Sequence, residues 1–160
     1  MPETVQGPCA FQAVPWEQIP DLGLYMDQVI TFIGRMYAPI YGPDMKSVLS
    51  APMINNYVKG RLIPRPVGKK YSREQIAMLT MIVALKQVCS MEDIRRMLTL
   101  REGQTVEDLY GAFCRRYCQV LRELRADDSD GLDAAMDFAI RAAGYRVGCA
   151  DALKREPDGN

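Results

Sequence analysis

Residues 50–98 read SAPMINNYVKGRLIPRPVGKKYSREQIAMLTMIVALKQVCSMEDIRRML, and their punctuation decides the fold. Ser50 followed by Pro52 marks a helix start, and Gly60 marks its end. Pro64-Arg65-Pro66 then stiffens the chain, and Val67 to Tyr71 turns it back. Ser72-Arg73-Glu74-Gln75 is a capping box, opening a helix that runs to about Val88. Ser90 with Glu92 and Asp93 opens the next. From Ile76 to Leu85 the sequence is apolar almost all round. Such a helix is stable only when surrounded, so Leu79, Ile82, Val83 and Leu85 are expected to be almost wholly buried.

The flanks extend the helical pattern. Upstream, Leu22, Tyr25, Met26, Val29, Ile33 and Met36 recur at helical spacing, predicting a helix from Leu22 to Met36 that Pro39 and the following Tyr-Gly-Pro-Asp turn end. Residues 1–21 are Pro-rich and read as extended, with Phe11 and Trp16 as anchors onto the body. Downstream, Thr105 with Glu107 and Asp108 caps a helix whose stripe includes Tyr110, Phe113, Tyr117 and Leu121. A second stripe runs from Leu132 to Ala143 after an acidic turn. Two antiparallel helices joined by a short turn are the natural reading, closing on the core or on a second subunit.

Charge is segregated. Lys46, Lys59, Arg61, Arg65, Lys69, Lys70 and Arg73 fall in 28 residues without one Asp or Glu, inside a chain of zero net charge. A local field of this kind suits an anionic polymer or surface, although solvated cations are the commoner fate of Lys and Arg. At 160 residues and 48% hydrophobic the chain has material for one ordinary core. No apolar run reaches the ~20 residues of a membrane helix. The N-terminus has no basic start or hydrophobic stretch, and the five cysteines make an odd count, so a reducing, cytoplasmic setting is expected.

Chemistry is constrained by what is missing. The chain has no histidine, which excludes Ser-His-Asp, Cys-His and His-metal sites, and it has no Gly-rich phosphate loop. Cys114 and Cys118 stand one helical turn apart, but without further ligands they read as small hydrophobes rather than half a zinc site. The pairs Glu92-Asp93 and Glu107-Asp108 sit in first helical turns, where they complement the macrodipole. No catalytic residue, cofactor or metal ligand is expected.

On a helix at about 100° per residue, Asn55, Asn56 and Lys59 share one face while Ile54, Tyr57 and Val58 share the other. Asn bonds adenine bidentately in the major groove, and Lys reaches phosphate or guanine. Lys69 and Lys70 sit at the tip of the turn that follows.

The order of Tyr57, Leu62-Ile63-Pro64, Tyr71-Ser72, Ile76, Leu79, Ile82 and Ser90-Met91-Glu92 resembles the DNA-binding half of the MerR-type winged helix-turn-helix family. The pairing of WEQIPDLGLYMDQV with MINNYVK and LIPRPVGKKYSRE resembles more closely the bacterial family called domain of unknown function 1836. The resemblance covers about residues 16–98. It implies an all-α fold with a short wing, a winged helix-turn-helix over 22–102. Around it the Pro-rich start reads as an extended segment over 1–21, the two apolar stripes as a helical hairpin over 103–150, and residues 151–160 as a flexible tail. It implies a recognition helix at 53–60 and a basic wing at 64–71. Asn55 stands where such helices commonly carry Arg, the wing is short, and Tyr37 to Leu49 is long for a helix-turn-helix corner. Nothing of effector recognition carries over.

The expectation is a DNA-binding transcription regulator, homodimeric through its C-terminal helices, with Lys46, Asn55, Asn56, Lys59, Arg61, Arg65, Lys69, Lys70, Tyr71 and Arg73 at the nucleic acid. The alternative is a helical protein-interaction module that binds an acidic partner on the same surface.

Overall fold

The computed structural model describes residues 11–125 and 129–157. Residues 1–10 (with Pro2, Pro8 and Cys9), residues 126–128 of the acidic turn and residues 158–160 lie outside them. Among the described residues a single 3-10 turn, Trp16–Gln18, precedes six α-helices, and there is no strand. The helices are α1 (Met26–Tyr41), α2 (Ala51–Lys59), α3 (Arg73–Leu85), α4 (Met91–Leu98), α5 (Val106–Arg125) and α6 (Gly131–Arg155). The fold is mainly α.

The caps form as the sequence spells them. Ser50 Oγ accepts from the Met53 N–H at 3.4 Å and Ser90 Oγ from the Asp93 N–H at 3.2 Å. Ser72 Oγ accepts from the Gln75 N–H at 3.2 Å while Gln75 Oε1 accepts from the Ser72 N–H at 2.7 Å. Each bond satisfies a donor that the first helical turn leaves unpaired. At α5 the Thr105 N–H and hydroxyl both donate to Asp108 Oδ2, at 3.0 and 2.8 Å, which holds that carboxyl below the usual range.

The first helix departs from the reading at both ends. It starts at Met26, because Leu24 is tied by paired backbone bonds to Tyr71 (3.0 and 2.8 Å) and Gly23 turns the chain at φ 82°. Leu22, assigned to the apolar stripe, is 87% exposed. At the other end the helix carries Pro39 in its last turn and closes at Gly42, φ 82°, a left-handed stop that glycine tolerates.

α3 is the central element, packed against α1, α4 and α5. Leu79, Ile82 and Val83 are at most 1% exposed, whereas Leu85, at the helix end, is half-buried. Thr80, wholly buried, donates its hydroxyl to the Ile76 carbonyl at 2.8 Å, and the Tyr37 hydroxyl donates to the Thr80 carbonyl. Burial pushes the Tyr37 phenol far above its ordinary range.

The C-terminal helices depart most from the hairpin reading. α5 packs along α3, and its aromatic stripe meets the N-terminal segment rather than the Leu132–Ala143 stripe. Phe11 is 4.8 Å from Tyr37, 5.2 Å from Tyr117 and 6.4 Å from Phe113 by ring centroids. The Tyr110 hydroxyl donates to the Val14 carbonyl at 2.6 Å, and Gln12 N–H bonds the Met36 carbonyl at 3.0 Å. Phe11 and Trp16 thus anchor the segment as their sequence setting suggests. Cys114 and Cys118 lie half-buried along the same helix, packed against the core, with burial raising both thiols. α6 packs instead on α4, and it continues to Arg155, into the stretch expected as a tail.

Candidate nucleic-acid interface

α2 divides as its sequence divides. Ile54 and Tyr57 are buried in the core, while Asn55, Asn56 and Lys59 are exposed on the opposite face. Helix α2 ends where the Gly60 N–H bonds the Asn56 carbonyl at 2.8 Å, and Leu62 N–H bonds the Tyr57 carbonyl at 2.9 Å. Between them Arg61 takes φ 60°, a left-handed conformation that costs a side chain about 1–2 kcal/mol. Leu62 and Ile63 then plug into the core and leave Arg61 and Arg65 in solvent.

The following turn is tight. The Lys70 N–H bonds the Val67 carbonyl at 3.0 Å, with Gly68 at φ 57° and Lys69 at φ 63°. Two positive φ values at the central positions mark a type I′ turn, the kind that closes a two-residue hairpin. Lys69 occupies a position that glycine fills without strain. The turn packs close to Gly23, whose missing Cβ would stand 3.0 Å from Lys70 Cβ. Lys70 lies over the exposed Tyr25 ring, its Nζ 5.3 Å from the centroid.

Not every basic or aromatic candidate is free to meet a ligand. Tyr71 is 3% exposed, its backbone paired with Leu24 and its phenol raised by burial. Arg73 Nε donates to the Ile19 carbonyl at 2.8 Å, its guanidinium stacks 5.7 Å from the Trp16 ring, and Asp21 stands 3.8 Å away. Both residues fasten the N-terminal segment to the start of α3. Lys46 is exposed in the α1–α2 link, next to Asp44, whose Oδ1 accepts from the Lys46 N–H at 3.2 Å.

Packing adds one cation from outside the basic stretch. A groove of about 620 Å³ runs between the end of α2, the Arg61–Arg65 link, α3 and α4, and brings Lys59, Arg61 and Arg65 together with Arg95. Its floor is apolar, with Val58, Leu62, Met78 and Leu98. Arg95 also pairs with Glu92, one turn back on α4. In the sequence its signal is only its place beside Ile94, which α4 buries together with Leu98. Among the described residues, Lys59, Arg61, Arg65 and Lys69 have no carboxylate within ion-pairing distance.

What this surface presents is two neutral amides beside a run of uncompensated cations, on a helical scaffold with no catalytic constellation read in its sequence. The family described as domain of unknown function (DUF1836) matches residues 14–113, well over half of the chain, and the chain belongs to it. The match begins before the Trp16 turn and ends inside α5, so it takes in the α3–α5 packing. No curated protein and no solved structure matches the chain. No helix among the described residues is long and apolar enough to cross a membrane.

Proposed function

We propose that this protein is a small transcription regulator that binds duplex DNA through the exposed face of α2 and the basic link and turn behind it. One observation carries the reading. α2 seats its apolar face in the core and leaves Asn55, Asn56 and Lys59 outward, continuous in sequence with Arg61, Arg65 and Lys69, none of them neutralised by a described carboxylate. In this reading α2 is the recognition helix of a MerR-like winged helix-turn-helix and the Gly68-Lys69 turn is a minimal wing. Asn55 and Asn56 read base edges; Lys59, Arg61, Arg65, Lys69 and Lys70 hold phosphates. Two copies of so short a helix read two half-sites, so the active form is a homodimer joined through its C-terminal helices.

The test is binding of a labelled random-duplex pool by fluorescence anisotropy, at several salt concentrations, followed by selection of the bound sequences. Replacing Lys69 and Lys70 by Ala should weaken binding to every sequence alike and reduce the salt slope by about 0.9 for each phosphate no longer neutralised. Replacing Asn55 and Asn56 by Ala should leave that slope unchanged and cost about 1–3 kcal/mol on the selected site alone. A wild-type protein that shows no salt-dependent binding to duplex at low ionic strength rules the reading out. Capture of an acidic protein by the same surface would then be the reading to pursue.

A further inference from the structure

α6 runs 25 residues without burying one of them. Its C-terminal half is held to the body: Arg146 Nε donates to the Val88 carbonyl at 2.8 Å, Arg96 donates to the Leu153 carbonyl at 2.7 Å, and Cys149 lies against Cys89. On a different side of the helix from that attachment lie Leu132, Met136, Ile140 and Val147, which are 90%, 63%, 62% and 62% exposed. At about 100° per residue they form one stripe with the exposed Ala139 and Ala143. A contiguous apolar stripe of this kind marks an interaction surface, and a helix packed on one side at one end gains most of its stability from whatever covers it.

We propose that the stripe is covered by the same stripe of a second copy, with the two α6 helices antiparallel and the two-fold axis between Ala139 and Ile140. This deepens the dimer part of the reading above, yet it stands without DNA binding. Laid on itself in reverse, the stripe sets Leu132 opposite Val147, Met136 opposite Ala143 and Ile140 opposite Ala139. Larger side chains then face smaller ones along the seam. A parallel pair would set Met136 on Met136 and Ala143 on Ala143, crowding one layer and emptying another. Charge makes the same choice. From Asp130 to Asp137 the helix carries Asp130, Asp133 and Asp137 and no cation, whereas from Arg141 to Arg155 it carries Arg141, Arg146, Lys154 and Arg155 against Asp151. Antiparallel pairing sets the acidic half of one copy against the basic half of the other and opposes the two helix dipoles. Asp133 and Asp151 border the stripe on its open side, which disfavours an anionic membrane as the cover.

Sedimentation equilibrium of the full chain at micromolar concentration should give the dimer mass. Ile140→Glu should weaken the dimer by more than about tenfold, because the carboxylate would be buried on the axis. Its helical circular dichroism at concentrations where the wild type is itself monomeric should be unchanged, since Ile140 is solvent-exposed in one copy. For the register, Ala139→Cys should give a covalent dimer under mild oxidation above the wild-type background, and Leu132→Cys should not. A wild type that stays monomeric at about 100 µM, where a micromolar Kd would leave most of the chain dimeric, overturns the proposal. So does cross-linking of Leu132→Cys but not Ala139→Cys, or uptake by vesicles of anionic lipid without self-association. Duplex binding is measured on the same samples: a dimer that ignores DNA removes the regulator reading and keeps this one.

Discussion

Arg61 and Lys69 are the residues at which the backbone and the proposed function pull in different directions. Both hold positive φ although neither is glycine, and both point cations into solvent. Strain of this kind costs of order 1–3 kcal/mol and is held by the surrounding structure, at Lys69 by closure of the turn. Lys69→Gly should therefore leave the protein as stable or raise its stability by up to about 1 kcal/mol, the relieved strain being offset in part by the freedom glycine loses on folding. The same change should weaken duplex binding. Chemical denaturation and anisotropy on one preparation check the pair, and a loss of stability would show that the side chain serves the fold. The sequence announced the charge of both residues but not their strain, because φ at Lys69 is fixed by closure of the turn onto Val67.

Elements were legible where their signals are local. A cap acts over three residues and a helical stripe repeats every three or four, so the existence of all six helices can be read from the chain, although α1 is shifted to Met26–Tyr41 and α6 runs on to Arg155. What α3 does also follows, since ten nearly continuous apolar residues admit no exposed face. Leu79→Ala should cost about 2–5 kcal/mol, read from the denaturation midpoint, with the upper part of the range expected because the surroundings on α1, α4 and α5 cannot all collapse into the cavity. Which helix α5 meets was not legible. Tyr110, Phe113 and Tyr117 specify an aromatic neighbour without naming one, and the structure supplies Phe11 and Tyr37. Trp16–Gln18 and α5 close over one another for the same reason.

At the scale of the molecule, the lack of histidine shapes the response to pH. Between about pH 6 and 8 no side chain with an ordinary imidazole range can change charge, so stability should be nearly flat there. Above that the sign is set by burial. Tyr37, Tyr110 and Tyr117 and the Cys114 thiol, pushed up to about 11, all keep their protons longer in the folded chain than in the unfolded one. Their contribution is complete below the unfolded values, near 8.5 for the thiol and 10 for the phenols, and is lost as pH rises through the folded ones. Thermal midpoints measured from pH 6 to 11 should hold level and then fall from about pH 9. A steep change between pH 6 and 8 would contradict this account.

The sequence by itself determined the presence of the helices, the Ser and Thr caps of α2 to α5, the central place of α3, the polar and apolar faces of α2 and the carboxylate-free stretch around it, because each is a property of neighbours along the chain. Tertiary structure alone decided the rest. It buried Tyr71 and committed Arg73 to the Ile19 carbonyl, it brought Arg95 to the groove beside Arg61 and Arg65, and it parted α6 from α5. Those outcomes depend on which apolar surface, far away in sequence, fits best against which. A periodicity states that a face must be covered; only packing states by what.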